Sequence, residues 1–257
     1  MKARLAAVPW RWIGLGVAAY LIFLVATLPA TFVTRRLTAQ GLVLSGVSGS
    51  IWNGRANASQ LNGLTFTSLR WQVRPASLLL GRLSLDMQAT RDDGYINGRV
   101  SLRTGQRIDI ADLRMALPIH ALRGFAGALA ANWQGTLQAQ FAELSLERGW
   151  PRRARGSIDA QNLSGPARQP TAIGGYRVTF DSADKTSNGD LSGQVASQDD
   201  APVDVAGVLR IQANRQYFIE AQIGTRANTP ASILQALQYL GPPNPQGRRT
   251  FSLSGSF

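Results

Sequence analysis

No cysteine occurs among the 257 residues, and histidine occurs once. The first absence excludes disulfides, thiolate nucleophiles and thiolate metal sites. It leaves the compartment open, because many exported proteins also lack disulfides. The second leaves His120, in "LPIHALRG", as the sole imidazole, with no carboxylate at a fixed helical spacing from it. A lone histidine among apolar neighbours is more often structural than catalytic. The acid pairs Asp92–Asp93 and Asp199–Asp200 fall at turn boundaries, where such residues are ordinarily solvated rather than metal-bound. The sequence therefore offers no catalytic residue, no cofactor site and no metal site. Charged residues are sparse at 16%, but 44% hydrophobic content excludes a disordered chain.

The net charge of +12 invites a nucleic-acid reading, which its distribution weakens. Lys2, Arg4, Arg11, Arg35 and Arg36 flank one hydrophobic segment, so the 22 basic residues beyond them face all 15 acids, a balance of +7. Most of these arginines stand singly among apolar residues, as on the solvent face of a sheet. The one tight cluster is Arg148, Arg152, Arg153 and Arg155, a candidate patch for a protein partner or a lipid headgroup. Between the flanking charges, residues 12–34 ("WIGLGVAAYLIFLVATLPATFVT") carry none. A cleaved signal peptide would have an apolar stretch of about 7–15 residues and a small-x-small cleavage site. This run is longer, and Leu28-Pro29-Ala30 places leucine where a small residue is wanted. The pattern predicts an uncleaved anchor over 12–34, a cytoplasmic tail over 1–11 and an exported domain over 37–257, oriented by the positive-inside rule.

Beyond the anchor the dominant period is two. In "LSLDMQA", Leu83, Leu85, Met87 and Ala89 alternate with Ser84, Asp86 and Gln88; Val203, Val205, Gly207, Leu209 and Ile211 alternate likewise. Polar junctions such as "TRDDG", "RTGQR", "TSNGD" and "QANRQ" fall at hairpin spacing. The expectation is a mainly β protein: one long, curled antiparallel sheet of roughly ten or more strands. A few short helices are expected at 75–81, near 118–124 and at 229–241, the last capped by Thr229. An echo between "WNGRANA" (52–58) and "WQGTLQA" (133–139) suggests two related halves, near 41–117 and 125–213, within that sheet.

The stretch "LSGVSGSIWNGRA", 44–56, mixes turn formers with a bulky aromatic. It lacks the Gly-Lys-Ser/Thr ending of a phosphate loop, and no βαβ pattern follows. Gly46 and Gly49 instead permit bulges or close backbone approach, Ile51 and Trp52 read as core residues sealing the start of the sheet, and Asn53-Gly54 reads as a turn or bulge. Followed by "LRWQVRPASLLLGRLSLDM", and closed by "ILQALQYLGPPNPQGRRTFSLSGSF", this stretch resembles the type II (general) secretion system protein N family of Gram-negative bacteria. The motif positions are Gly49, Ile51, Trp52, Gly54, Trp71, Pro75, Leu79 and Gly81. The resemblance implies a non-enzymatic inner-membrane accessory component with a periplasmic domain, working beside the secretin and the platform proteins. It brings no catalytic residues.

A sheet this long, with few helices, must close its apolar face upon itself, present it to a partner or hold lipid on it. The AsmA-like lipid-bridging proteins similarly combine an anchor with a curled sheet, so a lipid-binding groove that takes phospholipid is the alternative reading.

Overall fold

The computed structural model of the chain describes residues 10–38, 41–103, 105–126, 133–165, 171–181 and 190–256. All but two residues of the expected cytoplasmic tail, and most of the "TSNGD" junction, lie outside them. The apolar run folds into helix α1 (Trp10–Ala26, 17 residues) and helix α2 (Thr31–Thr38) with a break between. Among the described residues no helix is long and apolar enough to cross a membrane. The expectation of one helix over 12–34 fails at Leu28-Pro29. The proline disfavours helical geometry at the residue before it, and the Thr27 hydroxyl donates back to Phe23 O at 2.8 Å. The freed backbone is then taken up by the neighbouring sheet. Ile51 N donates to Leu28 O at 3.0 Å, Ala30 N donates to Gly49 O at 3.1 Å, and Pro29 forms a bridge with Ser50.

Alternation builds the remainder. A three-stranded sheet, in the order β1-β4-β5, contains β1 (Leu42–Ser45), β4 (Ala58–Leu61) and β5 (Leu64–Phe66). A large sheet begins with β2 (Ser48–Gly49), β3 (Asn53–Ala56) and β6 (Ser68–Arg74), so Asn53-Gly54 lies in a strand and, of the turn or bulge expected there, the turn is not formed. It continues through β7 (Arg82–Arg91), β8 (Gly94–Arg103), β9 (Arg107–Pro118), β10 (Gln134–Glu147), β11 (Trp150–Ser164), β12 (Ala172–Phe180), β13 (Leu191–Ser197), β14 (Val203–Ile211), β15 (Gln216–Thr225) and β16 (Arg249–Ser256). The order is β16-β15-β14-β13-β12-β11-β10-β9-β8-β7-β6-β3-β2, 13 strands, antiparallel at every step. Apart from β1, β4 and β5, the strands of the two suggested halves lie within this one sheet without a break in strand order.

Register puts the apolar positions of successive strands on one face. Val73 stands opposite Leu85, Leu85 opposite Val100 and Val100 opposite Ile110; farther along, Val178 faces Val195, and Leu209 lies between Gly193 and Ile219. Two bulges preserve this phase. The apolar residues of β9 change from even positions (Ile108, Ile110) to odd ones (Leu113, Met115, Leu117), and Asp112, at φ +53°, absorbs the extra residue. In β10 the phase changes the other way, from Phe141 to Leu144, across Ala142.

Rings on this face lie over glycines of adjacent strands. A Cβ on Gly54 would lie inside the indole of Trp71. One on Gly193 would come within 2.7 Å of Phe180, and one on Gly255 within 2.5 Å of the Tyr217 hydroxyl. The abundant glycine thus clears room for aromatics, a known device for covering glycines in sheets.

The small sheet covers one end of the apolar face, where Leu64 and Phe66 bury against Leu69, Ala89, Leu117 and Ala121. Ala121 comes from a 3₁₀ turn, Ile119–Leu122, that runs into helix α3 (Arg123–Ala126). A second cluster gathers Ala139, Phe141, Ala154, Phe180 and Leu191. The rest is only half-covered, and Leu253 of β16 is exposed. Helix α4 (Ala231–Gln238) buries Leu237 alone, and the Thr229 hydroxyl donates to Pro202 O at 2.6 Å instead of capping the helix. The expected curling is not found: among the described residues the strand order is open, with β16 at one end and β2, met on its outer side by residues 28–30, at the other. The chain exposes 17147 Å², where a compact monomer of this mass would expose about 11,000 Å².

Three substitutions test this packing. Gly54→Ala should cost about 1–3 kcal/mol by forcing a methyl into the Trp71 ring, and Trp71→Leu should cost less in that background than alone, with a coupling of at least ~0.5 kcal/mol. Additive losses in thermal unfolding of the full chain would contradict the ring-over-glycine packing. Leu209→Glu, which places a carboxylate beside Phe180 and Leu191, should lower stability by roughly 3 kcal/mol, or about 6–12 °C in Tm. An unchanged Tm would show that this part of the face is solvated.

Candidate functional site

The residues that carry the family resemblance meet where α1 joins the large sheet. Ile51 and Trp52 are held from both sides. Trp71 Nε1 donates to Ile51 O at 3.2 Å, Val73 N donates to Trp52 O at 2.6 Å, and Trp52 Nε1 donates to Val25 O near the end of α1 at 2.8 Å. Trp52 does not seal the sheet's core as expected. Its indole is half-buried against the helix and forms, with Leu21, Ile22, Val25, Ala26 and Pro75, an open apolar groove of about 530 Å³. Gly49 makes the junction tight. It lies at φ +92°, and a Cβ there would come within 2.5 Å of Asn53 O.

Pro75 opens a 3₁₀ turn, Pro75–Leu80, that Gly81 ends in the left-handed region at φ +67°. The turn turns its leucines outward: Leu79 is 90% exposed and Leu80 71%. Ser77, by contrast, is buried; its hydroxyl donates to Arg74 O at 2.7 Å and accepts from Ser84 N at 3.1 Å. Gly49, Ile51, Trp52, Gly54, Trp71 and Pro75 are thus brought together at the junction, and Leu79 and Gly81 lie on the turn beside it.

The other side of this turn forms one wall of a cleft of about 650 Å³ on the polar face of the sheet. Five arginines from four strands line it: Arg74, Arg82, Arg99, Arg103 and Arg153. Asp86 accepts from Arg74 Nε at 2.7 Å and Arg99 Nε at 2.9 Å. Burial pushes this carboxyl up, but the two arginines outweigh it and hold Asp86 below the usual carboxylate range. Asp109 pairs with Arg103 Nε at 2.8 Å and accepts from the Ser145 hydroxyl at 2.8 Å. Arg82 stands directly opposite Arg103, which in turn stands opposite Arg107. Arg82 Nε is buried and finds no hydrogen-bond partner among the described residues.

The four clustered arginines predicted as a patch divide between the β10–β11 hairpin and β11 itself. Arg148 sits in the β10–β11 hairpin at φ +52°. Arg152 Nε lies 3.6 Å from the Glu147 carboxylate, and Arg155 Nε lies 3.8 Å from Asp181. Only Arg153, opposite Ser145, enters the cleft. Its companions Arg82, Arg99 and Arg103 are isolated in sequence and read there as solvated positions. Their signal lies in the alternation Arg99-Val100-Ser101-Leu102-Arg103, which carries meaning only once the neighbouring strands are in register. His120 Nε2 stands 3.9 Å from Asp93, both half-exposed, and among the described residues no group of three or more metal-ligating side chains gathers.

Comparison with known proteins assigns the fold to a lineage. Residues 40–252 match the family model described as type II secretion system (T2SS), protein N. A type II secretion system protein N of Vibrio cholerae serotype O1 is 25% identical over 221 residues, 84% of this chain and 85% of that protein. One from Aeromonas hydrophila is 27% identical over 251 residues, 90% and 91% of the two chains, and one from Pectobacterium carotovorum is 25% identical over 242 residues, 93% and 94%. No solved structure matches the chain. With the family match covering nearly everything beyond α2, and the resemblance at the junction in agreement with it, the chain belongs to the type II secretion system protein N family.

Proposed function

We propose that the chain is a non-enzymatic accessory component of the type II secretion apparatus. In this reading it sits at the inner membrane and contributes to export of folded proteins across the outer membrane by contacting the secretin and the inner-membrane platform proteins. The apolar run beginning at residue 12 anchors it as a single pass through α1, with residues 1–11 cytoplasmic and 37–257 periplasmic. Support for the anchor comes from α1, whose apolar side chains are exposed all round, with Ile22 70% and Phe23 65% exposed. Such a surface needs a lipid environment or a partner.

One observation carries the partner reading: the open end of the large sheet. Strand β16 is eight residues long, contains no proline, and among the described residues has β15 as its only neighbour in the sheet order. Free edges of this length are normally blunted, because their unpaired backbone groups accept a further strand. The half-covered apolar face next to this edge adds surface for a partner to bury.

Two experiments test the reading. Membrane-extracted protein should keep its original amino terminus and resist carbonate extraction; a mature chain beginning near Thr31, or quantitative release by carbonate, would contradict the anchor. A photo-crosslinking residue placed at Leu253 should give an adduct with the secretin or a platform protein in cells that assemble the system. Absence of any adduct with a component of the system, together with normal export after deletion of the gene, would overturn the proposed role.

A further inference from the structure

We infer that the arginine cleft binds the phosphate headgroup of an anionic phospholipid from the membrane surface, with the leucines of the Pro75–Leu80 turn against its acyl chains. The inference rests on the proposed membrane placement of α1 for the source of the lipid, and on the cleft itself for its chemistry.

The cleft holds more positive charge than its own acids neutralise. Asp109 and Glu143 line it, Asp86 holds Arg74 and Arg99, and Asp112 lies 3.5 Å from Arg99 Nη1, so four acids face five arginines. Arg82 and Arg153 form no ion pair among the described residues, and Arg82 lies directly across from Arg103, whose charge Asp109 already shares. Like charges directly opposed across two strands are unfavourable. An anion placed between them removes that repulsion and gives the Arg82 guanidinium an acceptor. Guanidinium forks bind the paired oxygens of a phosphate or a carboxylate, so the donor set suits an oxyanion such as a phosphodiester. The cleft volume of about 650 Å³ lies within the ordinary range for small-ligand sites.

The turn supplies the second half of a lipid site. Ala76, Ser77 and Leu80 line the cleft, whereas Pro75 at the start of the same turn lines the apolar groove with α1. One short element therefore touches both the helix proposed to lie in the bilayer and the basic cleft, with Leu79 and Leu80 exposed between them. A soluble phosphate would use the arginines alone, but a lipid would use the arginines and the leucines together. The juxtaposition of excess guanidinium with outward leucines selects the lipid.

The test uses the full chain in neutral detergent, titrated with dioleoylphosphatidylglycerol, dioleoylphosphatidylcholine or inorganic phosphate and followed by native mass spectrometry. Phosphatidylglycerol should bind at least about tenfold more tightly than phosphatidylcholine, and Arg82→Gln/Arg153→Gln should weaken it by about tenfold. Arg210→Gln, on the same face at the far end of the sheet, should change nothing. Leu79→Ser/Leu80→Ser should weaken phosphatidylglycerol and leave inorganic phosphate binding unaltered. Where the double arginine variant does not fold, Arg153→Lys keeps the charge but removes the fork, and should still weaken phosphatidylglycerol severalfold. Equal binding of the two lipids, or indifference to the arginine changes, would overturn the site. Inorganic phosphate binding as tightly as the lipid, with no effect of the leucine changes, would assign the cleft to a soluble anion and overturn the lipid. Failure of the membrane placement is separate: carbonate would then release the chain, while arginine-dependent binding in micelles persisted.

Discussion

The apolar side chains of every strand must fall on the same face as those of its neighbours, and the rest of the molecule depends on this. A one-residue slip in an antiparallel pair sends a strand's entire apolar set to the opposite side. Across 13 strands the constraint is cumulative, because an error at β9 would misplace everything paired beyond it. The phase changes within β9 and β10 show how the chain meets it: Asp112 and Ala142 are spent on bulges so that Leu113 and Phe141 return to the apolar side. Glycines opposite Trp71, Phe180 and Tyr217 then let the largest rings lie flat on that side without forcing the strands apart.

The same register that builds the apolar face builds the basic one. Arg74, Arg99, Arg103 and Arg153 are drawn together because Ser84, Ser101, Asp109 and Ser145 are paired in sequence along one line across β6 to β11. The cleft is thus a by-product of pairing, and its character comes from which polar residues occupy the solvent positions. Five arginines facing Asp86, Asp109, Asp112 and Glu143 leave the site short of negative charge. The turn at 75–80 joins this region to α1, so that the chain's most apolar helix, its basic cleft and its family motif all lie at one end of the sheet.

Much of this was readable before any coordinates. Period-two alternation marks β7 and β14, the junctions "TRDDG", "RTGQR" and "QANRQ" mark hairpins, and Pro75 with Gly81 bounds a short turn. What failed did so for specific physical reasons. The uncharged run over 12–34 reads as one helix because hydropathy ignores the backbone, but Pro29 and the edge residues Gly49 and Ile51 claim its far end. Trp52 reads as core because it is large and flanked by apolar residues, yet its Nε1–H goes to Val25 O and its ring to α1. Thr229 reads as a helix cap because of its place before Pro230, yet its hydroxyl finds Pro202. The cleft is not legible in the sequence because its arginines are distant along the chain, whereas the cluster at 148–155 is legible there through proximity alone. Curling was expected because long sheets twist, but no strand returns to close the order.

The absence of native cysteine makes register directly measurable in the full chain. Cysteines replacing Ser84 and Ser101, whose hydroxyls lie 2.8 Å apart, and a second pair replacing Gln222 and Thr250, opposite each other across β15 and β16, report on the two ends of one sheet. Opposed positions of this kind lie within disulfide reach. If the sheet is continuous and in the register described, both pairs oxidise readily, whereas the pairs slipped by one residue, Ser84 with Leu102 and Gln222 with Phe251, do not. Equal cross-linking of the slipped pairs, or failure of both matched pairs, would contradict the single in-phase sheet.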